Sequence, residues 1–357
     1  MSRRTLALTA AIALMLGLAA PASARNINAD NLYGLHVLFS DVPGLGQPDS
    51  SLKNGWGISH RAMSPWWVSN NGTDTSTLYN TATAGQEFKV GLTVTVPDGP
   101  TGQVANTSTA FAVDAGDGSG PLSSLFIFAN ENGAIYGWNG KGTDAILGVS
   151  TPGARYFGLA IGGSGSSTHL YAGNFHTGKV DVFDGNWMPV NNLAGDFTDP
   201  TLPAGYAPFG IQGVGNTIYV AYAKQDEDAE DEVHGEGFGY VSAFNLDGTF
   251  AGRVASAGDL NAPWGIAQAP DNFGKFSGDL LVGNFGDGRI HAFKPTADGW
   301  EPHGLIKGTN HRPIAIDGLW GIGFGNGFAA GPTNTLFFAA GPNDETEGLF
   351  GSITVPQ

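Results

Sequence analysis

Short runs of alternating apolar and polar residues, separated by glycine-containing turns, follow one another along most of the chain. The segment "NAPWGIAQAPDNFGKFSGDLLVGNFGDGRIHAF", residues 261–293, shows the pattern most clearly. It begins with an aromatic-Gly-Ile motif, continues into an apolar run at 280–282, and ends after a polar turn on a second run at 290–293. Such alternation predicts short, half-buried antiparallel strands.

Relatives of this segment recur along the chain and give six copies in all. The copies start near residues 56, 101, 157, 209, 264 and 320. Their first glycines are Gly57, Gly102, Gly158, Gly210, Gly265 and Gly321, with spacings of 45, 56, 52, 55 and 56 residues by subtraction. A repeat of this length fits a blade of four short strands, so the sequence predicts an all-β, six-bladed β-propeller.

The sixth copy reaches the end of the chain after its third strand, "GLFGSITV". The segment "NLYGLHVLFSD", residues 31–41, has a strand pattern but precedes the first copy. We therefore expect residues 31–41 to pair with the last blade and to close the ring. Closure removes two sheet edges that would otherwise invite aggregation. Residues 25–357 are predicted to form this single domain.

Several motifs of the repeat carry a resemblance to known proteins. The segments "PAGYAPFGIQ", "FSGDLLVGNFGDGRI", "DGLWGIGFGNG" and "AGPNDETEGLFGS" resemble NHL-type propeller repeats. They are also similar to an exported bacterial propeller family that is described only as hypothetical proteins. The resemblance covers about residues 30–355. It implies a six-bladed fold, and it assigns no catalytic residues.

The N-terminus, "MSRRTLALTAAIALMLGLAAPASARN", has the parts of a secretory signal. Arg3 and Arg4 precede an apolar stretch at 6–20, and a small-residue cleavage site ends at Ala24. We expect residues 1–24 to be removed and the protein to be exported, to the periplasm or outside the cell. The twin arginine also leaves a twin-arginine export route open. The chain has no cysteine, so no disulfide can stabilise the domain.

The formal net charge is −16, with 16 Lys and Arg residues against 32 Asp and Glu residues. Phosphate backbones and anionic membranes both require clusters of basic residues, so we expect neither nucleic acid nor membrane binding. Cationic or neutral ligands fit this charge better. The sequence lacks a Gly-x-Ser-x-Gly elbow, a His-Glu-x-x-His motif, a P-loop and a Gly-x-Gly-x-x-Gly loop, so it indicates no familiar catalytic class.

The repeat predicts which side chains meet at one mouth of the channel. In each blade, the loop entering the first strand and the loop joining the second and third strands share a face. The candidate ligand-binding residues are therefore Trp56, Phe157, Phe209, Trp264, Trp320, Asn70, Asn130, Asn174, His176, Asn284 and Asp287. Aromatic walls with a few polar groups are typical of a ligand pocket. The alternative is that the aromatics pack the blades together and the asparagines form turns.

Two acidic loops fall near the same mouth. Residues 224–237, "KQDEDAEDEVHGEG", carry seven carboxylates, and residues 341–348, "GPNDETEG", form the corresponding loop of the sixth copy. Oxygen ligands suit Ca²⁺ or another divalent cation, which gives Asp226, Asp228, Asn343, Asp344 and Glu345 as candidate ligands. A solvated charged loop is the alternative. Among the histidines, His291 is expected to face solvent.

Two functions follow from these features. The first is an exported monomer that binds a small polar, glycan or peptide ligand at the channel mouth, with no reaction assigned. The second is a lactonase-like hydrolase, in which a divalent ion in the channel polarises a carbonyl and activates water. Catalytic residues are not predicted, because fold alone confers no activity.

Overall fold

The computed structural model describes residues 32–355, and the signal peptide predicted for residues 1–24 lies outside this part of the chain. The described residues form 27 strands. The first nine are β1 (Gly34–Ser40), β2 (Gln47–Pro48), β3 (Gly55–Ser59), β4 (Trp66–Asn70), β5 (Thr75–Asn80), β6 (Phe88–Thr95), β7 (Pro100–Ala105), β8 (Ala112–Val113) and β9 (Leu122–Ser123). The next nine are β10 (Phe126–Asn130), β11 (Ala134–Trp138), β12 (Ile146–Ser150), β13 (Tyr156–Gly162), β14 (His169–Asn174), β15 (Lys179–Phe183), β16 (Tyr206–Val214), β17 (Thr217–Gln225) and β18 (Glu232–Val233). The last nine are β19 (Gly239–Asn245), β20 (Phe250–Ser256), β21 (Pro263–Gln268), β22 (Leu280–Asn284), β23 (Ile290–Thr296), β24 (Gly299–Leu305), β25 (Leu319–Phe324), β26 (Thr335–Ala340) and β27 (Leu349–Thr354).

Most of the strands assemble into six mainly antiparallel sheets, which are the blades of a propeller, and β8 and β9 form a separate two-stranded sheet. From the channel outward, the first blade is β3-β4-β5-β6 and the second is β7-β10-β11-β12. The third is β13-β14-β15, the fourth is β16-β17-β19-β20 and the fifth is β21-β22-β23-β24. The sixth is β25-β26-β27-β1, with β2 beyond it. The six-bladed fold expected from the repeat is confirmed.

The ring is closed by the N-terminal strand, as the sequence predicts. β1 pairs antiparallel with β27, with Leu35 opposite Ile353 and Val37 opposite Gly351. The sixth blade therefore takes its outermost strand from the other end of the chain. This arrangement ties residues more than 300 positions apart in sequence into one sheet, and it covers an edge that would otherwise be exposed.

The third blade departs from the four-stranded prediction. After β15 the chain makes a turn, and only a single bridge, between Phe183 and Pro189, continues the ladder outward. Proline has no N–H to donate, so a strand that reaches Pro189 cannot extend the ladder regularly. The outer part of this blade is irregular for that reason.

The helices are three single-turn 3₁₀ helices, at Asn71–Thr73, Gly165–Ser167 and Gly274–Phe276. None of the helices in the described part of the chain has the length and apolar character needed to cross a bilayer.

Six apolar clusters lie between adjacent blades. Because neighbouring residues of a strand point to opposite faces, one strand can contribute to two of these clusters. Trp66 packs with Phe337 and Phe350 between the sixth and first blades. Trp67, the next residue, packs with Phe126 between the first and second blades. With no disulfide available, these interfaces hold the domain together.

The six repeat glycines lie where the inner strands of neighbouring blades approach each other most closely. A Cβ atom on Gly57 would lie 2.6 Å from the carbonyl oxygen of Thr101, in the next blade. A Cβ on Gly321 would lie 2.6 Å from the carbonyl oxygen of Trp56, which continues the pattern across the closure. Gly102, Gly158, Gly210 and Gly265 lie in the same way against the following blade. Glycine is required here by close backbone approach, and not by its backbone freedom.

Replacement of one repeat glycine should therefore destabilise the ring. In Gly210→Ala the new methyl group would overlap the carbonyl oxygen of Trp264. We expect the free energy of unfolding to fall by about 3 kcal/mol, measured by chemical denaturation. Gly91→Ala is the matched control, because Gly91 lies in the outer strand β6 with open space where its Cβ would be. Equal stability of the two variants would contradict this account of the repeat.

Candidate functional site

The five aromatic residues that precede the repeat glycines converge at one end of the channel. The ring of Trp320 lies between those of Trp56 and Phe285, with centroid distances of 3.6 Å and 4.0 Å. Phe157 and Phe209 extend the cluster, and their rings are 5.6 Å apart. We call Trp56, Phe157, Phe209, Trp264 and Trp320, together with Phe175 and Phe285, the aromatic plug.

The aromatic plug closes this end of the channel. Trp56, Phe157, Phe209 and Trp320 are all at most 3% exposed, and only Trp264 is half-buried. The indole N–H of Trp320 donates to Asn54 Oδ1 at 3.0 Å, and that of Trp264 donates to the carbonyl oxygen of Phe157 at 3.3 Å. These aromatics therefore form a floor at the mouth, and four of them offer little surface to a ligand.

The four predicted asparagines end the second strands of their blades, and all are buried. Asn70 donates to Thr75 and Thr77, and Asn130 Oδ1 accepts from the backbone of Ala134. Asn174 donates to Asp181 at 2.9 Å, and Asn284 donates to Asp287 at 3.2 Å. Their polar groups thus hold local turns, although Asn284 Oδ1 has no partner among the described residues. Their ligand-binding role stays a prediction.

The residue after each asparagine faces the mouth instead. Asn71 and Glu131 follow Asn70 and Asn130, and Phe175 and Phe285 follow Asn174 and Asn284. Both phenylalanines belong to the aromatic plug. Side-chain alternation explains this placement, because consecutive residues at a strand end point in opposite directions. The repeated asparagine was predicted as a site residue and its variable neighbour was not, although the strand alternation indicates that the neighbour points the other way.

A chain of polar contacts lies at the same mouth and links the sixth, first, second and third blades. Asn54 Nδ2 donates to Glu345 Oε2 at 2.6 Å and to Asn71 Oδ1 at 3.2 Å. Asn71 donates to Glu131 at 2.6 Å, and Arg155 forms a salt bridge with the other oxygen of Glu131 at 3.2 Å. We call Asn54, Asn71, Glu131, Arg155 and Glu345 the mouth network. Only Glu345 was among the predicted site residues.

The acidic loop of the fourth blade also reaches this mouth. His176 of the third blade contacts the carbonyl oxygen of Ala229 through Nδ1 at 3.1 Å. His234 lies 2.7 Å from Glu232 and places its ring 5.1 Å from that of Phe285, in the fifth blade. The loop therefore spans the third to fifth blades, and with it all six blades contribute to this end of the channel.

Carboxylates crowd this end of the channel and shift one another's ionisation. Burial raises the pKa of Glu345, and the charges of Asp231 and Glu131 raise it further. Burial raises the pKa of Glu232 to about 8. The hydrogen bond to Glu232 raises the pKa of His234, so this pair keeps its proton to a higher pH than a free histidine would. Clusters of perturbed groups in a cleft are typical of functional sites.

The divalent-cation site predicted for the acidic loops gains no support from the described residues. Within residues 32–355, no group of three His, Cys, Asp or Glu side chains is arranged to hold a metal ion. Asp226 Oδ1 accepts from the backbone N–H of Glu230 within its own loop, and Asn343 donates to Thr346. Asp228 and Asp344 are exposed, and Glu345 belongs to the mouth network. The cation site stays a prediction.

The opposite end of the channel is open. Beneath the aromatic plug the channel is narrow and encloses a space of about 20 Å³. Toward the other ends of the inner strands it widens into a cavity of about 310 Å³. Gln103, Gln212 and Gln268 line this wider end beside His60. Gln103 is fixed there by donation to the carbonyl oxygen of Trp67 and acceptance from Ser69. The three glutamine side chains carry no charge, in contrast to the mouth network.

The ionisation of Glu232 and His234 predicts that stability falls with rising pH. Both pKa values are raised on folding, so the folded protein holds a proton that the unfolded chain has already released. We expect the melting temperature to fall by about 2–4 °C as the pH rises from about 6 to about 9. Glu232→Gln should flatten this dependence, and Glu236→Gln, at an exposed position of the same loop, should leave it unchanged. If the melting temperatures of wild type and Glu232→Gln change equally with pH, Glu232 is not the cause of the pH dependence.

Comparison with solved structures supports the fold. The crystal structure of the soluble aldose sugar dehydrogenase from Escherichia coli, in its apo form, matches with a TM-score of 0.55 at 13% identity. The match covers 91% of this chain and all of that one. At this identity the likeness concerns the fold alone. No family model matches the chain, so the resemblance to NHL-type repeats is not confirmed.

Comparison with curated proteins identifies relatives in a mimivirus. Uncharacterized protein R648 of Acanthamoeba polyphaga mimivirus is 34% identical over 326 residues, which cover 87% of this chain and 76% of that protein. Uncharacterized protein L690 of the same virus is 32% identical over 333 residues, which cover 87% of this chain and 82% of that protein. The six-bladed propeller described here therefore belongs to the same protein family as these two mimivirus proteins.

Proposed function

We propose that this protein is an exported β-propeller that binds a small polar ligand at the mouth network through a positively charged amine of the ligand. An amino sugar, the amine of a peptide or a small free amine would each supply such a group. The observation that carries the proposal is the excess of carboxylates at this mouth over the cations available to balance them.

The charge balance at the mouth favours a cation. The charges of Asp231 and Glu131 act on Glu345, and the charge of Asp231 also acts on Glu232. The cations in contact with these carboxylates are Arg155 and His234. Arg155 is already paired with Glu131. A bound ammonium group would stabilise the ionised carboxylates, and the half-buried site would screen this attraction less than open solvent does.

The aromatic plug adds a second feature that suits an amine. Indole and phenyl faces attract cations placed above them. Arg155 already uses this attraction, with its guanidinium carbon 5.5 Å from the centre of the Phe157 ring. The half-buried Trp264 is the member of the plug best able to contact a ligand.

Titration with small charged and neutral molecules tests the site. We expect 1,4-diaminobutane to bind, as measured by calorimetry, with an affinity that weakens as salt is added. 1,4-Butanediol and succinate, of similar length, should not bind. Glu345→Gln should weaken diamine binding about tenfold, which corresponds to about 1.4 kcal/mol. Glu301 is an exposed carboxylate on the outer strand β24, and the variant Glu301→Gln should bind the diamine like the wild type.

Two results would overturn the proposal. Equal binding of the diol and the diamine would show that the site does not select charge. Unchanged diamine binding in Glu345→Gln, with the fold intact by circular dichroism, would place the binding site elsewhere.

Export rests on the signal pattern of residues 1–24 and has its own test. In a bacterial host we expect the periplasmic fraction to contain protein that begins at Arg25, as found by intact mass. Replacement of Arg3 and Arg4 by lysine should block export only if the twin-arginine route is used. Full-length protein that keeps residues 1–24 and stays in the cytoplasmic fraction would contradict the export proposal.

A further inference from the structure

A second cavity lies between the outer parts of the fourth and fifth blades, away from the channel. Its volume is about 770 Å³, within the usual range for small-molecule sites. The outer strands β20, β23 and β24 form its walls, and Val254, Phe276, Phe293 and Trp300 give it an apolar lining. We call this space the blade 4–5 cavity. It shares no lining residue with the mouth network.

One buried polar side chain in this lining has an unmet hydrogen bond. His291 was expected to face solvent, but it is only 5% exposed, because it points with Phe293 toward the fourth blade while Ile290 and Ala292 pack toward the sixth. Its Nε2 atom has no hydrogen-bond partner among the described residues. Buried polar atoms are nearly always satisfied. An unsatisfied histidine in the lining of a large cavity is consistent with a partner supplied from outside the chain.

Cations outnumber anions in the lining of this cavity. Arg253, Lys275 and Lys307 line it, together with a single carboxylate, that of Asp259. This ratio reverses that of the whole chain, in which acidic residues outnumber Lys and Arg by 32 to 16. Arg253 is committed to the buried Asp199, whose carboxylate lies 2.6 Å away. Lys307 is exposed and forms no salt bridge with any described residue, so its charge is available at the rim.

We propose that the blade 4–5 cavity binds a small amphiphilic anion, a carboxylate on an alkyl or aromatic body. The apolar body lies against Trp300, Phe293 and Phe276, where its removal from water favours binding. The carboxylate lies toward Lys307 at the rim. His291 supplies a polar contact within the apolar lining. This site takes a ligand of opposite charge to that proposed for the mouth network.

Binding of decanoate to the whole protein tests this site by calorimetry. We expect saturable binding of decanoate and none of decyltrimethylammonium, which has the same chain and the opposite charge. Lys307→Glu should weaken decanoate binding at least tenfold. Lys294→Glu is the matched control, because Lys294 is exposed on β23 but does not line the cavity. His291→Phe, which removes the ring nitrogens, should also weaken binding.

Further results separate this site from the mouth network and from misfolding. Glu345→Gln should leave decanoate binding unchanged, so that failure of one site does not imply failure of the other. If His291→Phe lowers the melting temperature strongly, the decanoate affinities of Lys307→Glu and Lys294→Glu still test whether the cavity binds the anion. Absence of saturable decanoate binding, equal weakening by these two charge reversals, or equal binding of decyltrimethylammonium would overturn the proposal.

Discussion

The inner strands of the six blades approach so closely around the channel that a hydrogen atom is the largest side chain that fits at one position of each. At Gly210 and at its five equivalents, a methyl group would meet the backbone of the next blade. The contact runs in one direction around the ring and is continued across the closure, where Gly321 meets Trp56. Everything else depends on this spacing, because it sets the width of the channel and brings the preceding aromatic residues within contact distance of one another.

Close packing at the channel has a direct consequence for the mouth. Large aromatic side chains that arrive from neighbouring blades fill the narrow end, so they stack on each other as an aromatic plug instead of lining an open pocket. Polar side chains are therefore displaced outward, to the loops above the plug. The mouth network lies there, with Asn54 joining the plug to the carboxylates through Trp320 and Glu345.

The repeat carried more information about structure than about the site. Positions that recur, such as the glycine of all six blades and the buried asparagine of four, serve contacts within the fold. Asn130 and Asn174, for example, both accept a backbone hydrogen bond from the turn that follows a second strand. The residues that follow the asparagines vary between copies. Asn71 and Glu131, for example, contact each other across two blades, so each is chosen by its partner and not by the repeat. His291 shows the same limit, since its burial depends on the neighbouring blade.

The sequence by itself determined the number of blades, the register of the repeat glycines and the strand that closes the ring. These features are local or periodic, so the alternation of apolar and polar residues and the spacing of the glycines predict them. Only the tertiary structure decided which side chains meet. His234 and Phe285 are brought together by the curvature of the ring, and Lys307 and Arg253 come to line the same blade 4–5 cavity. Contacts of this kind join residues from different blades, and no spacing within one copy encodes them.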